Sequence, residues 1–246
     1  MRRLILFLAT TFIGQNIFGQ ETELFQPDSV YSRNKVKKRI ISFDSKSTKS
    51  ALIYTYDKKG KLIENCLTDN ETGKHNQFKI LYKYNEFGRR ISEVLTTDDS
   101  LDMETTKYGY NSLQQLTKKE TFNFFDHLIK VENITQNPFT ETEIFYDPNT
   151  DTIYRKQTSV YENQFAYTNF YGYEFREGKK ETWNYKFKNY FDNENRLIRR
   201  DDSLWKPLKI IEYYYNKKGL LIKKTERFDR PKSQVNQNQF IRYEFW

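Results

Sequence analysis

One local pattern recurs along this chain and limits what it can fold into: Tyr-x-Tyr-Asp/Asn-x-x-Gly-x-Leu/Ile. It reads "YTYDKKGKL" at 54–62, "YKYNEFGRRI" at 82–91 and "YYYNKKGLLI" at 213–222. Alternate residues of a strand share a face, so both tyrosines of a copy point the same way. Asp or Asn at the first turn position and Gly at the fourth suit a type I turn followed by a left-handed residue, which is a hairpin with a G1 bulge. The chain then returns with Leu62 opposite Tyr56, a cross-strand aromatic–aliphatic pair. Two further copies depart from the pattern. "NYFDNENRLI" at 189–198 has Asn195 for Gly, the best non-glycine for a left-handed residue. "YGYNSLQQL" at 108–116 has Gln114 there, a poor substitute that predicts a different turn. "IFYDPNTDTI" at 144–153 and "FYGYEFREGKKE" at 170–181 are weaker echoes.

A second turn signal lies at the other strand ends. "TDDSLDMETTKYGYN" at 97–111 parallels "RDDSLWKPLKIIEYYYN" at 200–216, and Asp-Asp-Ser suits a chain reversal. Each repeat is thus two strands and two turns. Aromatics at 17% supply β-favouring side chains, and 9 Gly and 5 Pro exclude a linker or collagen-like chain. The predicted class is all-β: antiparallel β-hairpin repeats in a meander, forming a twisted open sheet or a partly closed roll. Over 113–134, Leu113, Leu116, Phe124 and Leu128 would share a helix face, whereas Phe122 and Phe124 alternate as in a strand. The repeat register favours strand.

The N-terminus is a separate object. Arg2 and Arg3 precede an apolar run, Leu4–Ile13, too short to span a bilayer, and a polar shift follows Gly19. That order predicts a signal peptide over 1–19, an extended arm over 20–36 and the repeat domain over 37–246. Export to the periplasm, cell surface or medium follows. Cys66 is the single cysteine, so no intramolecular disulfide supports the fold. It is expected to pack as a small hydrophobe. The chain carries 41 Lys+Arg against 33 Asp+Glu. Without Arg2 and Arg3 the balance is 39 against 33, or +6, compatible with anionic partners without demanding them.

The residues Tyr56-Asp57-Gly60-Leu62, Tyr84-Asn85-Gly88-Ile91 and Tyr215-Asn216-Gly219-Leu221 resemble the YD repeats of the rearrangement-hotspot (Rhs) family. The resemblance covers most of 37–246 and implies antiparallel sheets serving as surface or carrier scaffolds, often described as sugar-binding. This chain is short for that family and shows no toxin-like or protease-like C-terminal region. It looks more like the small secreted repeat proteins of Bacteroidota-type bacteria.

Catalytic motifs are absent from the sequence: no Gly-x-Ser-x-Gly, phosphate loop or dinucleotide fingerprint occurs. His75 and His127 are the only histidines and no cysteine cluster exists, so no metal site or cofactor is expected. Asp57, Asp147 and Asp192 are accounted for by turns. Trp183 and Trp205 fall outside the repeat consensus and are the candidate stacking platforms for a glycan. The doublets Arg89-Arg90, Arg199-Arg200 and Lys223-Lys224 would form a basic band if hairpins stacked in register. Lysines on exposed strands also serve as edge protection. The reading is an exported, non-enzymatic scaffold or binding protein of the cell envelope. Its partner is a glycan or another envelope protein, with nucleic acid ranked last. The alternatives are a polysaccharide-acting enzyme, which would need two inward carboxylates away from turns, and an outer-membrane barrel, which the charged strand faces disfavour.

Overall fold

A computed structural model describes residues 28–42, 50–69, 78–97, 102–137, 140–162, 167–204, 207–229 and 237–246. The expected leader, His75 and Trp205 lie outside the described residues. Sixteen antiparallel strands follow one another around the sheet in chain order: β1 (Val36–Ser42), β2 (Ser50–Tyr56), β3 (Leu62–Asp69), β4 (Phe78–Tyr84), β5 (Arg90–Thr97), β6 (Asp102–Tyr110), β7 (Leu116–Asn123), β8 (Leu128–Asn137), β9 (Thr140–Asp147), β10 (Thr152–Glu162), β11 (Tyr167–Arg176), β12 (Lys179–Phe191), β13 (Leu197–Asp202), β14 (Lys209–Tyr215), β15 (Leu221–Phe228) and β16 (Gln237–Phe245). The sheet closes, because β1 pairs with β16, setting Arg39 opposite Tyr243 and Ile41 opposite Ile241. Closure removes the exposed edges that an open repeat sheet would present to other chains.

The hairpins follow the turn chemistry of the repeat. In each of five turns on one rim, the leading Asp or Asn accepts backbone N–H bonds on its side-chain oxygen. Asp57 Oδ1 takes Lys59 N and Lys61 N at 2.8 and 2.9 Å, and Asn216 Oδ1 takes Lys218 N and Leu220 N. Asn111 and Asp192 do the same, and Asn85 Oδ1 takes Arg89 N. The fourth residue is left-handed: Gly60 at φ 81°, Gly88 at 74°, Asn195 at 59°, Gly219 at 77°. Gln114 is left-handed too, at φ 60°, with the same Gln114 N to Asn111 O bond, so the expected departure at that turn does not occur. A sixth copy, Asn123–His127, closes the opposite rim between β7 and β8. The ambiguous segment 113–134 is therefore two strands and a turn. Leu62 pairs with Tyr56 beside the expected bulge.

Within the segment expected as an extended arm, Asp28–Arg33 instead forms a short helix, α1. It lies against the rim of the repeat turns. Tyr31 stacks on Tyr56 with ring centroids 4.4 Å apart and accepts a 2.7 Å bond from Arg39 Nη1 on its hydroxyl oxygen. A side chain at Gly60 would meet the Asp28 carbonyl at 2.2 Å, so glycine there serves both the left-handed turn and the seating of α1.

Register identifies the lumenal face. Arg39 faces Tyr54, which faces Asn65, then Ile80, Leu95 and Glu104 on successive strands. Every buried Tyr, Phe, Leu, Arg, Asp and Glu of the described strands lies on this face, and α1 packs against it. An apolar cluster fills part of the lumen: Leu197, Ile211, Tyr213, Leu221 and Ile241 pack together with Ile41 across β13–β16 and β1. The wall from β5 to β12 is mixed, with charged side chains on β7–β10 and an aromatic cluster of Phe170, Tyr185 and Phe187 on β11–β12.

Candidate functional site

The mixed wall holds a connected set of charged and aromatic side chains. Register places Lys119 (β7) opposite Glu132 (β8), Glu132 opposite Phe145 (β9) and Phe145 opposite Arg155 (β10). Lys119 Nζ lies 2.6 Å from Glu132 and 3.8 Å from Glu143, and Lys130 lies 3.4 Å from Glu132. Glu143 accepts a 3.3 Å bond from Gln157 Nε2, whose Oε1 accepts one of 2.9 Å from Arg155. The Arg155 guanidinium then sits between two rings, 5.1 Å from the Phe145 centroid and 5.3 Å from Trp183. A polar chain thus runs from Lys119 on β7 to Trp183 on β12.

Burial sets the two neighbouring glutamates apart in acidity. Desolvation, helped by the Glu132 charge, pushes Glu143 up to about 7. Burial also opposes ionisation of Glu132, but Lys119 and Lys130 outweigh it and hold that carboxyl below its ordinary range. Lys119 is buried as well, yet the two carboxylates keep it charged and raise its pKa. The like charge beside Glu143 and the ammonium beside Glu132 thus push the two carboxyls in opposite directions.

Trp183 belongs to this wall, as the sequence suggested it stands apart from the repeat. Its indole is accommodated by Gly172, directly opposite on β11. A Cβ at position 172 would lie 2.9 Å from Trp183 Cζ2 and 2.2 Å from the Lys156 carbonyl. Sequence reasoning passed over Gly172, although a glycine inside a strand is itself a sign of close approach.

The basic doublets do not make one band. Consecutive strand residues face opposite ways, so each doublet is divided. Arg90 stacks on Tyr82 in the lumen, 4.3 Å from its centroid, while Arg89 is exposed in the turn. Arg200 is buried in the lumen and donates to Asn189, while Arg199 pairs with Asp201 on the outer wall. Lys224 pairs with Glu226 inside, while Lys223 lies over Tyr214 outside. Cys66 is buried and desolvation raises its thiol pKa. Among the described residues no cluster of His, Cys, Asp and Glu is arranged to hold a metal.

The outer wall is charged at mid-strand. Lys118–Glu120, Arg199–Asp201 and Lys38–Glu244 pair at 2.6, 2.7 and 3.5 Å. Lys107 lies over Phe122, Lys180 over Tyr173 and Lys186 over Tyr167. Among the described residues no helix is long and apolar enough to cross a membrane.

No protein-family model matches the chain, and no curated protein matches it. Among solved structures it resembles a porin-like protein from Bacteroides uniformis, with a TM-score of 0.55, 10% identity, and coverage of 86% of this chain and 98% of that one. That likeness concerns the fold alone. A TcdB2-TccC3-Cdc42 structure aligns at a TM-score of 0.25, with 10% identity over 77% of this chain and 12% of that one. The Photorhabdus luminescens Tc holotoxin pore aligns at 0.20, with 12% identity over 82% and 12%. These two values are too low to carry an argument.

Proposed function

We propose that this chain is a non-enzymatic binding barrel of the bacterial cell envelope, standing in water, which holds a saccharide against its lumenal wall at Trp183. The observation that carries this reading is the Trp183–Arg155–Gln157–Glu143 array. It sets an aromatic platform beside donors and acceptors on the lumenal side of a closed sheet, and sugar rings ask for both. Trp183 is only partly buried on that wall, and barrels of this strand number commonly enclose a channel. The kinship with YD-repeat scaffolds rests on the motif residues, and envelope placement on the leader-like N-terminus together with the porin-like fold.

The outer wall supports water over lipid. A Lys or Arg facing lipid at mid-membrane costs roughly 2–4 kcal/mol, and Lys107, Lys118, Lys186 and Arg199 together would consume a stability of about 5–15 kcal/mol. The strands are also short for spanning: β13 has 6 residues and β4 and β14 have 7, against about ten for a membrane strand. The outer-membrane reading keeps two observations in its favour, the closed sixteen-stranded sheet and the porin-like fold.

The enzyme reading asked for two inward carboxylates away from turns, and Glu132 and Glu143 are that. Glycosidase pairs, however, stand roughly 5–9.5 Å apart with substrate or water between them. Here Lys119 bridges the two, 2.6 Å from Glu132 and 3.8 Å from Glu143, and fills the space between them. That geometry suits a structural and binding role.

The test is a glycan array probed with the exported chain and with Trp183→Ala, at low and high salt. Binding lost by about tenfold or more in the variant supports stacking at Trp183. A well-folded protein that binds no glycan overturns the saccharide reading and directs the search to protein partners.

A further inference from the structure

A second site lies outside the lumen, where α1 meets the turn rim. A cleft of about 610 Å³ is lined by Arg33, Asn34, Lys35, Glu194, Lys217, Lys218 and Gly219. Three segments build it and hold it in place. Asn34 Nδ2 donates to the Val30 carbonyl at 2.9 Å and to the Lys218 carbonyl at 3.3 Å, tying the end of α1 to the β14–β15 turn. Lys35 is left-handed at φ 53°, and its carbonyl accepts Trp246 N at 2.9 Å. The third segment is the β12–β13 turn, which contributes Glu194.

The charge is one-sided. Four cationic side chains face one carboxylate, and Glu194 is already engaged by Arg196 Nη1 at 2.7 Å. Among the described residues no carboxylate pairs with Arg33, Lys35 or Lys217. Beside the cleft, Phe245 and Trp246 are about half exposed, at 48% and 50%. Lys218 lies 5.5 Å from the Phe245 centroid, and Lys37 and Lys58 lie 5.2 and 5.8 Å from that of Trp246. Unpaired cations around a cleft, next to exposed aromatic rings, match the headgroup layer of an anionic membrane. Phosphates there meet Lys and Arg, and amphipathic rings settle at the boundary.

We propose that this rim docks the barrel onto an anionic phospholipid surface. The cleft takes a headgroup phosphate between Arg33, Lys35 and Lys217, and Trp246 and Phe245 enter the interface. The site is independent of the lumenal wall, and either can fail without the other.

Vesicle flotation tests it, with the exported chain on phosphatidylcholine vesicles with and without phosphatidylglycerol. The expected result is flotation only with the anionic lipid, weakened by salt. Arg33→Glu/Lys217→Glu should reduce it at least about tenfold, since each cation near such a surface contributes roughly fivefold. Trp246→Ala should weaken it, and glycerol phosphate in solution should compete. Lys179→Glu/Lys180→Glu alters net charge equally on the far rim, and should float as the wild type does. Thermal melting verifies that each variant is folded. Equal loss in both charge-reversed proteins would mean diffuse attraction and overturn the site. So would flotation on phosphatidylcholine alone, no flotation at all, or binding of free glycerol phosphate without binding of vesicles.

Discussion

The Tyr84 hydroxyl donates a 2.6 Å hydrogen bond to the carbonyl of Leu62, 22 residues earlier and just beyond the preceding turn. The same bond recurs from Tyr110 to Arg90, Tyr215 to Leu197 and Tyr243 to Leu221, at 2.6–2.8 Å. The second tyrosine of these three copies, and Tyr243 of the last strand, thus clasp the return strand of the previous hairpin, binding repeat to repeat. Replacing any one by Phe keeps the ring and deletes only the bond, at a cost of about 1 kcal/mol. For a domain of this size that lowers Tm by about 2–4 °C. Tyr84→Phe and Tyr215→Phe are well separated, so their losses should add in a double variant followed by thermal melting.

Gly60 and Gly219 occupy equivalent turns but not equivalent surroundings. Alanine at 219 meets only the left-handed backbone, with its nearest neighbour 4.0 Å away on Arg196. Alanine at 60 carries the same strain and also collides with α1. Gly219→Ala should cost about 1–2 kcal/mol in chemical denaturation. Gly60→Ala should cost more and release α1, seen as faster hydrogen exchange at Asn34 and Lys35.

Glu143 carries a pH signature. Its ordinary value is 4.5 and the folded value about 7, so between these the folded state holds a proton that the unfolded chain has released. Its contribution to stability therefore declines as pH rises through that window. Glu143→Gln, whose amide can donate to Glu132 at any pH, should remove that part of the decline. Melting temperatures of the two proteins should be similar near pH 5 and diverge in favour of the variant by pH 8. Other raised acids, Glu104 and Asp202, act in both proteins and cancel.

Gly172→Ala should act as a remote change at Trp183. The added methyl lacks space between the Lys156 carbonyl and the indole. The indole must shift, and the Arg155 contact with it. A changed Trp183 emission, read in a Trp205→Phe/Trp246→Phe background, and weakened ligand binding are expected from this one methyl group.

The turns were the legible part of the sequence. Asp57-x-x-Gly60 and Asn195 state their conformations locally, because side-chain capping and left-handed preference are short-range effects. Gln114 misled for the same reason: its preference, worth about 1 kcal/mol, is outweighed by the Asn111 cap and the ladders on both sides. The Arg199-Arg200 doublet could have been divided from the start, since strand period alone sends neighbours to opposite faces. The Lys119–Glu132–Glu143–Gln157 network was not legible. Its members lie 11–14 residues apart, and bulges in the β7–β8 and β9–β10 ladders shift the facing that simple alternation would give. Closure of β1 on β16 joins the two ends of the repeat domain, and no local signal encodes it. The α1 turn was too short to show helical periodicity.

The account turns on a closed barrel wetted on both faces, and detergent phase partition of the exported chain tests that most directly. The account predicts recovery in the aqueous phase as a folded β protein without detergent. Recovery of folded protein in the detergent phase would contradict it and place the charged outer wall in a membrane.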